Sequence, residues 1–484
     1  MRAVIYARPF QSGHYSPSGV VRLGTTKFVF RARDMALLAA IGVAIALVNV
    51  LLSHPESSVF HSIVEIAAWL RGAAAKPAVV TWPAWGYAWV VVWIPKFEWI
   101  ITLQACLGAL ALVVLVRRLR LCMPKQAMVI AVLCVLAVPW HDMQVTLYPS
   151  GLAGSLLLLA LLSLDTALSR NDIKVAVLAG LLMGLAQNFR TEIVLVPAFV
   201  GICAAALKHW RIIEVSSMKP MWVFILVAFI LQLPWALFYH SETGRYSLTE
   251  SNFGHVIYVS LGSDSSNPYR IEGNDAGAMR AVRDEGYSFS SLSEQGNQVL
   301  RRLAWAQVKL HPYGLLQRTF QQLRNTVVAP FSWGEPKLDE SGTRDLDVLR
   351  QELKARLGVG INVLKLNNYR SQNLYAKAKE NNAATLALLY QVGAVGLGTL
   401  VFLLGTLGMV LALVRAEARR TPLLLWFLAC VALYKILQDV LLFYQVNYLN
   451  NVYPMFLPFV AISLTAIGDR LRGRASAPPG PDIR

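Results

Sequence analysis

Apolar runs long enough to cross a bilayer recur along nearly the whole chain, and they constrain the fold more than any other feature. A spanning helix needs about 20 mainly apolar residues. Ten stretches qualify: 35–53, 97–116, 126–140, 148–164, 173–189, 192–207, 220–239, 386–414, 422–444 and 452–468. Composition agrees, because 56% of the residues are hydrophobic and only 15% are charged, against roughly 25% charged in ordinary globular domains. Lipid must therefore be the solvent for much of the surface. The five cysteines all sit in apolar runs, which excludes an extracytoplasmic disulfide framework.

The net charge of +17 is explained by topology. With the segment before the first span placed inside, the inner segments hold 22 Lys/Arg and the short outer loops hold 4. The positive-inside rule puts both termini in the cytoplasm. The basic excess then reads as orientation and contact with anionic lipid, and nucleic acid is not an expected partner. The division that follows is a basic cytoplasmic arm (1–34), a seven-span bundle (35–239), an extracytoplasmic domain (240–385), three C-terminal spans (386–468) and a cytoplasmic tail (469–484). The first span reads as an uncleaved signal-anchor. Within 35–239, Val59, Ile63, Ile66 and Leu70 share one face of a helix at about 57–71, which predicts a helix lying on the outer membrane surface.

The segment 240–385 carries 18 Lys/Arg and 15 Asp/Glu, so it is hydrophilic and nearly balanced. Helices are predicted over Ser293–Leu310 and Pro312–Val328, from Leu300, Leu303 and Leu310 and then Leu316, Phe320, Leu323 and Val327. Pro312 suits a first helical turn. A third, weaker helix is expected over about Leu346–Leu357. The fold class is thus an α-helical polytopic membrane protein, with about ten spans and a mostly helical extracytoplasmic domain between spans 7 and 8.

Phosphate-binding glycine loops, HExxH and CxxC pairs are absent from the sequence. The chemistry-bearing residues cluster in the outer connections. The first holds Glu56 with His54 and His61, the second His141 and Asp142, and the third Arg190 and Glu192. A carboxylate beside an apolar boundary can act as a general base. An arginine there can hold phosphate oxygens bidentately, and carboxylate with histidine is compatible with a divalent metal. Solvated carboxylates and an Arg190–Glu192 boundary pair are the plain alternatives. Lys435 and Asp439 lie four apart inside span 9; they read either as a structural pair or as a functional intramembrane site. Gly180 and Gly184 are expected to be helix-packing positions, and so are Gly393, Gly396 and Gly398.

Several stretches resemble the GT-C superfamily of polyprenyl-phosphate-dependent membrane glycosyltransferases, which includes the protein mannosyltransferases and the lipid A aminoarabinose transferases. They are Thr81–Tyr87 with its P-x-x-G-Y pattern, Thr146–Ala153, Ala179–Ala186 followed by Arg190-Thr191-Glu192, His311-Pro312-Tyr313, and Asn447-Tyr448 through Tyr453-Pro454. The resemblance spans most of residues 35–465. The family's acidic D-E-x-x-Y motif after the first span is matched here by Glu56-Ser57-Ser58-Val59-Phe60, with Glu for Asp, Ser for the second acid and Phe for Tyr. Asn447 stands where the family often has Arg. The resemblance implies an inverting transferase facing outward, with a polyprenyl-phosphate sugar as donor and a glycan, lipid or protein as acceptor. Glu56 and Asp142 are then the expected catalytic residues; Arg190, Glu192, His61, His141 and Tyr87 are the expected substrate-binding residues. A lipid-linked saccharide flippase and a non-catalytic scaffold on the same fold are the competing readings. With no Asn-x-Ser/Thr site in the chain, a bacterial inner membrane is the expected location.

Overall fold

The computed structural model describes residues 31–53, 58–77, 79–81, 86–94, 96–262, 267–331, 335–336, 382–414, 422–441 and 449–475. Glu56, His54, the stretch 82–85, the expected helix at 346–357, Asn447 and both chain ends lie outside them. What is described is almost entirely helical. The single strand pairing joins two residues to two, with Leu52 opposite Pro336 and Ser53 opposite Glu335.

The first part of the chain folds as α1 (Ala32–Leu51), α2 (Ser58–Leu70), α3 (Gly86–Trp93), α4 (Phe97–Cys122), α5 (Ala127–Val135), α6 (Val138–Val145), α7 (Ser150–Arg170), α8 (Ile173–Phe189), α9 (Val196–His209), α10 (Lys219–Ile230) and α11 (Leu233–Thr243). The hydrophilic segment gives α12 (Phe253–Gly262), α13 (Asp275–Asp284), α14 (Glu294–Leu310) and α15 (Pro312–Val328). Three more helices follow, α16 (Asn382–Val414), α17 (Leu423–Leu441) and α18 (Tyr453–Ala475).

Eight helical segments among the described residues are long and apolar enough to cross a membrane. The expected straight span at 126–140 is instead two helices, α5 and α6, bent by 45°. Pro139 in the first turn of α6 cannot donate to the ladder, so the chain restarts there. Taken as one broken crossing, the pair is a ninth span. The expected span 173–189 is α8, with 17 residues. At 1.5 Å per residue it is about 25 Å long, short of the other spans. The apolar residues Gly86–Trp93 form the short helix α3, at 8 residues too short to cross a membrane.

Helix α7 is the centre of the bundle and is buried on nearly every side. Its glycines let neighbours approach: a Cβ on Gly151 would sit 2.8 Å from the Met143 carbonyl, and one on Gly154 would sit 3.1 Å from the Asn451 carbonyl. Gly180 and Gly184 of α8 do the same against Phe224, Val227 and Leu231, as their spacing predicts. Gly393 and Gly396 do not, since a Cβ on either would meet nothing within 4 Å. The close approach on α16 falls at Gly408, where a Cβ would lie 1.9 Å from the Phe459 carbonyl. At one end of the bundle, Arg118 bonds Asp165 at 2.6 Å, and Asp34 faces Arg120 at 3.6 Å and Arg117 at 4.0 Å. These pairs tie α1, α4 and α7 together.

Helices α14 and α15 begin as the sequence predicts. Ser293 caps α14 by accepting from the Gly296 amide at 3.1 Å, and Pro312 opens α15. Their apolar faces do not all turn inward. Leu300 is buried, whereas Leu310, Leu316, Phe320 and Leu323 are exposed.

Candidate functional site

The turn between α8 and α9 carries the densest set of buried charges. α8 stops at Phe189, and Arg190 turns extended (φ −141°, ψ 99°) before a short 3-10 turn, Thr191–Ile193. Pro197 then sits in the first turn of α9, where its missing N–H costs nothing. Amide side chains take up the carbonyls this break would leave unpaired. Gln187 donates to Val194 O at 3.0 Å, Asn188 to Gly184 O at 2.9 Å and to Leu231 O at 3.1 Å, and Gln232 to Gly184 O at 3.0 Å.

The turn aims Arg190 and Glu192 into the protein. Arg190 meets the Glu192 carboxylate at 2.5 Å, donates to the Tyr148 hydroxyl at 2.6 Å and stacks over the Tyr148 ring at 5.0 Å. The second Glu192 oxygen accepts from Lys435 Nζ at 3.1 Å. Lys435 is 1% exposed, and it also donates to Gln438 Oε1 at 2.9 Å. The Glu192 backbone carbonyl accepts from the Tyr434 hydroxyl at 2.9 Å and from Gln438 Nε2 at 3.2 Å. One carboxylate thus joins two cations from α17 and the α8–α9 turn. Buried charges persist only when paired and hydrogen-bonded in this way.

Asp439, four residues further on, acts electrostatically on Lys435 and is itself anchored elsewhere. Asp439 accepts from Thr326 of α15 at 3.1 Å, so the two span residues clip α17 to two different elements. Tyr87 lies beside the turn. Its ring meets Phe189 edge-on at 6.3 Å, and its hydroxyl donates to Gln104 Oε1 at 2.6 Å. Gln104 passes the link on, donating to the carbonyls of Gln144 and Thr146 at 3.0 Å each. Behind Tyr87, a Cβ on Gly86 would lie 2.4 Å from the Asn188 carbonyl. Gly86 and Tyr87 are thus packed against the last two residues of α8, just before the R-x-E turn.

Asp142 and His141 sit on helix α6, where the sequence predicts a loop. Asp142 is half-buried, and its carboxylate acts electrostatically on the Tyr390 hydroxyl of α16. His141 is fully buried, with Nε2 3.1 Å from the Val135 carbonyl. It braces the α5–α6 bend and does not contribute to the Arg190–Glu192 cluster. His61 is exposed on α2. Among the described residues no three His, Cys, Asp or Glu side chains gather closely enough to hold a metal ion.

A polar cavity of about 460 Å³ lies between Lys76, Pro77 and residues 79–81, the end of α11 and the start of α14. Lys76, Glu242, Arg245, Glu294 and Gln298 line it. Lys76 pairs with Glu242, Arg245 faces Glu294 at 3.7 Å, and Gln298 donates to Glu294 at 2.8 Å. Thr81 fixes one wall, donating to Ser251 at 2.9 Å, and Ser251 donates on to Leu292 O at 2.7 Å.

Sequence reasoning singled out Gln438 beside Lys435 in span 9 but missed Tyr434, Gln104 and the cavity. Gln104 and Gln438 carried a signal, as amides inside apolar spans. The cavity carried none, because its walls are distant in sequence.

Comparison with known proteins adds one match. Residues 75–238, about a third of the chain, match the family model described as dolichyl-phosphate-mannose-protein mannosyltransferase. That stretch contains Tyr87, Gln104, Asp142, Tyr148, Arg190 and Glu192. No curated protein matches the chain.

Proposed function

We propose, from the premise that residues 75–238 belong to the dolichyl-phosphate-mannose-protein mannosyltransferase family of GT-C glycosyltransferases, that this integral membrane protein transfers a sugar from a polyprenyl-phosphate donor with inversion. The acceptor is an extracytoplasmic glycan, lipid or protein. The observation that carries the reading is the buried Arg190–Glu192–Lys435 cluster beside Tyr148, held at a break between two membrane helices inside the matched stretch.

In the reaction the acceptor oxygen attacks the anomeric carbon, the bond from that carbon to the phosphate oxygen breaks, and the polyprenyl phosphate leaves with the electron pair. Charge grows on the phosphate as this bond breaks. Arg190 and Lys435, already oriented by Glu192, stabilise it there with little reorganisation. Glu56 takes the acceptor hydroxyl proton. The support for that role is the resemblance of Glu56-Ser57-Ser58-Val59-Phe60 to the acidic D-E-x-x-Y motif. Asp142 and His61 orient the acceptor, and the 460 Å³ polar cavity lined by Lys76, Arg245 and Glu294 is the place where it binds. This reading takes ten crossings, counting α8 and the bent α5–α6 pair, with both termini cytoplasmic, the segment 240–385 entered and left from the outer side, and a bacterial inner membrane as the location.

The test is sugar transfer by the full chain reconstituted with a polyprenyl-phosphate sugar. Glu56→Gln is expected to lower kcat by two to four orders of magnitude, the usual range for losing a general base, and Asp142→Asn to lower it less. Full activity in both variants rejects the assignment.

A further inference from the structure

Helix α15 is built inside out for a water-soluble lobe. Its buried side chains are Gly314, Arg318, Gln322 and Thr326, four residues apart along one face. Its opposite face carries Tyr313, Leu316, Phe320 and Leu323, all exposed, with Phe320 at 63% and Tyr313 at 85%. A helix resting on a protein core in water has the reverse arrangement.

The buried face is polar because it is bonded. Arg318 donates to the Ser260 carbonyl at the end of α12 and to the Leu441 carbonyl at the end of α17, each at 3.2 Å. Thr326 donates to Asp439. Val328, the last residue of α15, accepts through its carbonyl from the Thr399 hydroxyl at 2.5 Å. Thr399 lies midway along the apolar segment Leu386–Ala412. At 1.5 Å per residue that is about 20 Å from either end, near the middle of a hydrocarbon layer about 30 Å thick. Phe331 follows and packs against Tyr453 and Phe456 of α18, at 4.7 and 5.5 Å between ring centres.

The helix therefore starts at the edge of the bundle and ends within the depth of the spans, beside Thr399 midway along α16 and close to Asp439 in the last turn of α17. It packs against α16 and α17, whose outward side chains Leu400, Leu403, Leu437 and Leu441 are exposed apolar residues of membrane spans. The strip on α15 continues that surface. Exposed Trp305 and Tyr313 near the outer end suit the interfacial level where such rings concentrate.

We propose that α15 is a membrane-inserted helix whose Tyr313–Leu316–Phe320–Leu323 face contacts the acyl chains of the bilayer. Gln317 and Arg324 border the strip on its exposed polar side, and the long Arg324 side chain reaches toward the head groups. Hydropathy misses the helix because its protein-facing side is polar, which dilutes the average.

The test uses the full chain with its five cysteines replaced by serine, carrying single cysteines labelled with an environment-sensitive fluorophore, in phosphatidylcholine–phosphatidylglycerol vesicles. Labels at Phe320→Cys and Leu316→Cys are expected to be quenched at least twofold by doxyl-lipid and little by aqueous iodide. Arg280→Cys on exposed α13 should show the opposite. Iodide quenching of the α15 labels equal to that of Arg280→Cys overturns the proposal. So does protection from both quenchers, which would mean that protein covers the strip. Loss of doxyl quenching on adding polyprenyl phosphate would assign the strip to the donor chain instead, and equally overturns it.

Discussion

Lys435 Nζ lies 3.1 Å from Glu192 Oε1, and this contact fixes α17 to the turn between α8 and α9. The carboxylate between Lys435 and Arg190 is the only acid bonding both cations among the described residues. Its two oxygens are divided between them, so neither cation can be moved without leaving the other side of the network short.

Glu192→Gln should therefore destabilise strongly. Removing one partner of a buried ion pair costs about 3–5 kcal/mol, because the remaining charge is left uncompensated. Lys435→Met relieves part of that. In denaturant unfolding of the detergent-solubilised protein, the Glu192→Gln/Lys435→Met double variant should be more stable than the sum of the single losses, with a coupling of about 0.5–3 kcal/mol. Strict additivity would mean that the two side chains do not act on each other.

Gly408→Ala should prevent α16 and α18 from closing. The added Cβ would stand 1.9 Å from the Phe459 backbone carbonyl, which cannot rotate away. The yield of folded, monodisperse protein should collapse. Gly393→Ala on the same helix, whose Cβ meets nothing within 4 Å, should be neutral or slightly stabilising, since alanine favours helix by roughly 1 kcal/mol over glycine. Size-exclusion profiles of the two variants make the comparison.

The outer helices carry a small acid-side dependence. The hydrogen bond from His255 Nε2, at 3.0 Å, holds the Asp275 carboxyl below the ordinary aspartate range, against an opposing effect of burial. A group lowered in the folded state contributes stability that is complete above its unfolded value near pH 4 and is lost as pH falls through the lowered value. The effect is modest because the Asp275 side chain is largely exposed. Proteolytic sensitivity of the α12–α13 region should rise below about pH 4 in the wild type, and Asp275→Asn should flatten that rise.

Arg245→Ala tests the polar cavity. Its pair with Glu294 is long and half-exposed, so stability should change by less than about 1 kcal/mol. The expected change is in acceptor KM, raised several-fold, with donor KM unaltered. An equal rise in both would place the cavity on the donor's path.

Most of the helical framework was legible in the sequence, because apolar runs and capping residues are local signals. Ser293, Pro312, Gly180 and Gly184 act where their positions predict. The α5–α6 bend was not legible, since the apolar run continues through it and only Pro139 marks the break. Within the site, Arg190 and Glu192 stood out as charges beside a span, and Lys435 as a charge within one. The i,i+4 spacing to Asp439 leaves a structural and a functional reading of Lys435 open, while the carboxylate it hydrogen-bonds, Glu192, comes from a turn more than 240 residues away, which spacing within one helix does not signal. The apolar period of α15 predicts the helix but not its surroundings, because periodicity shows which residues share a side, not which solvent that side meets.

The central claim is that Arg190 and Lys435 together hold the donor's phosphate. The most direct measurement is binding of a short-chain polyprenyl phosphate to the purified wild-type chain and to Arg190→Gln, with circular dichroism confirming that the variant is folded. The account predicts a Kd raised by tenfold or more, about 1.4 kcal/mol of lost binding, and a similar loss for Lys435→Gln. An unchanged Kd in a folded Arg190→Gln protein would contradict it.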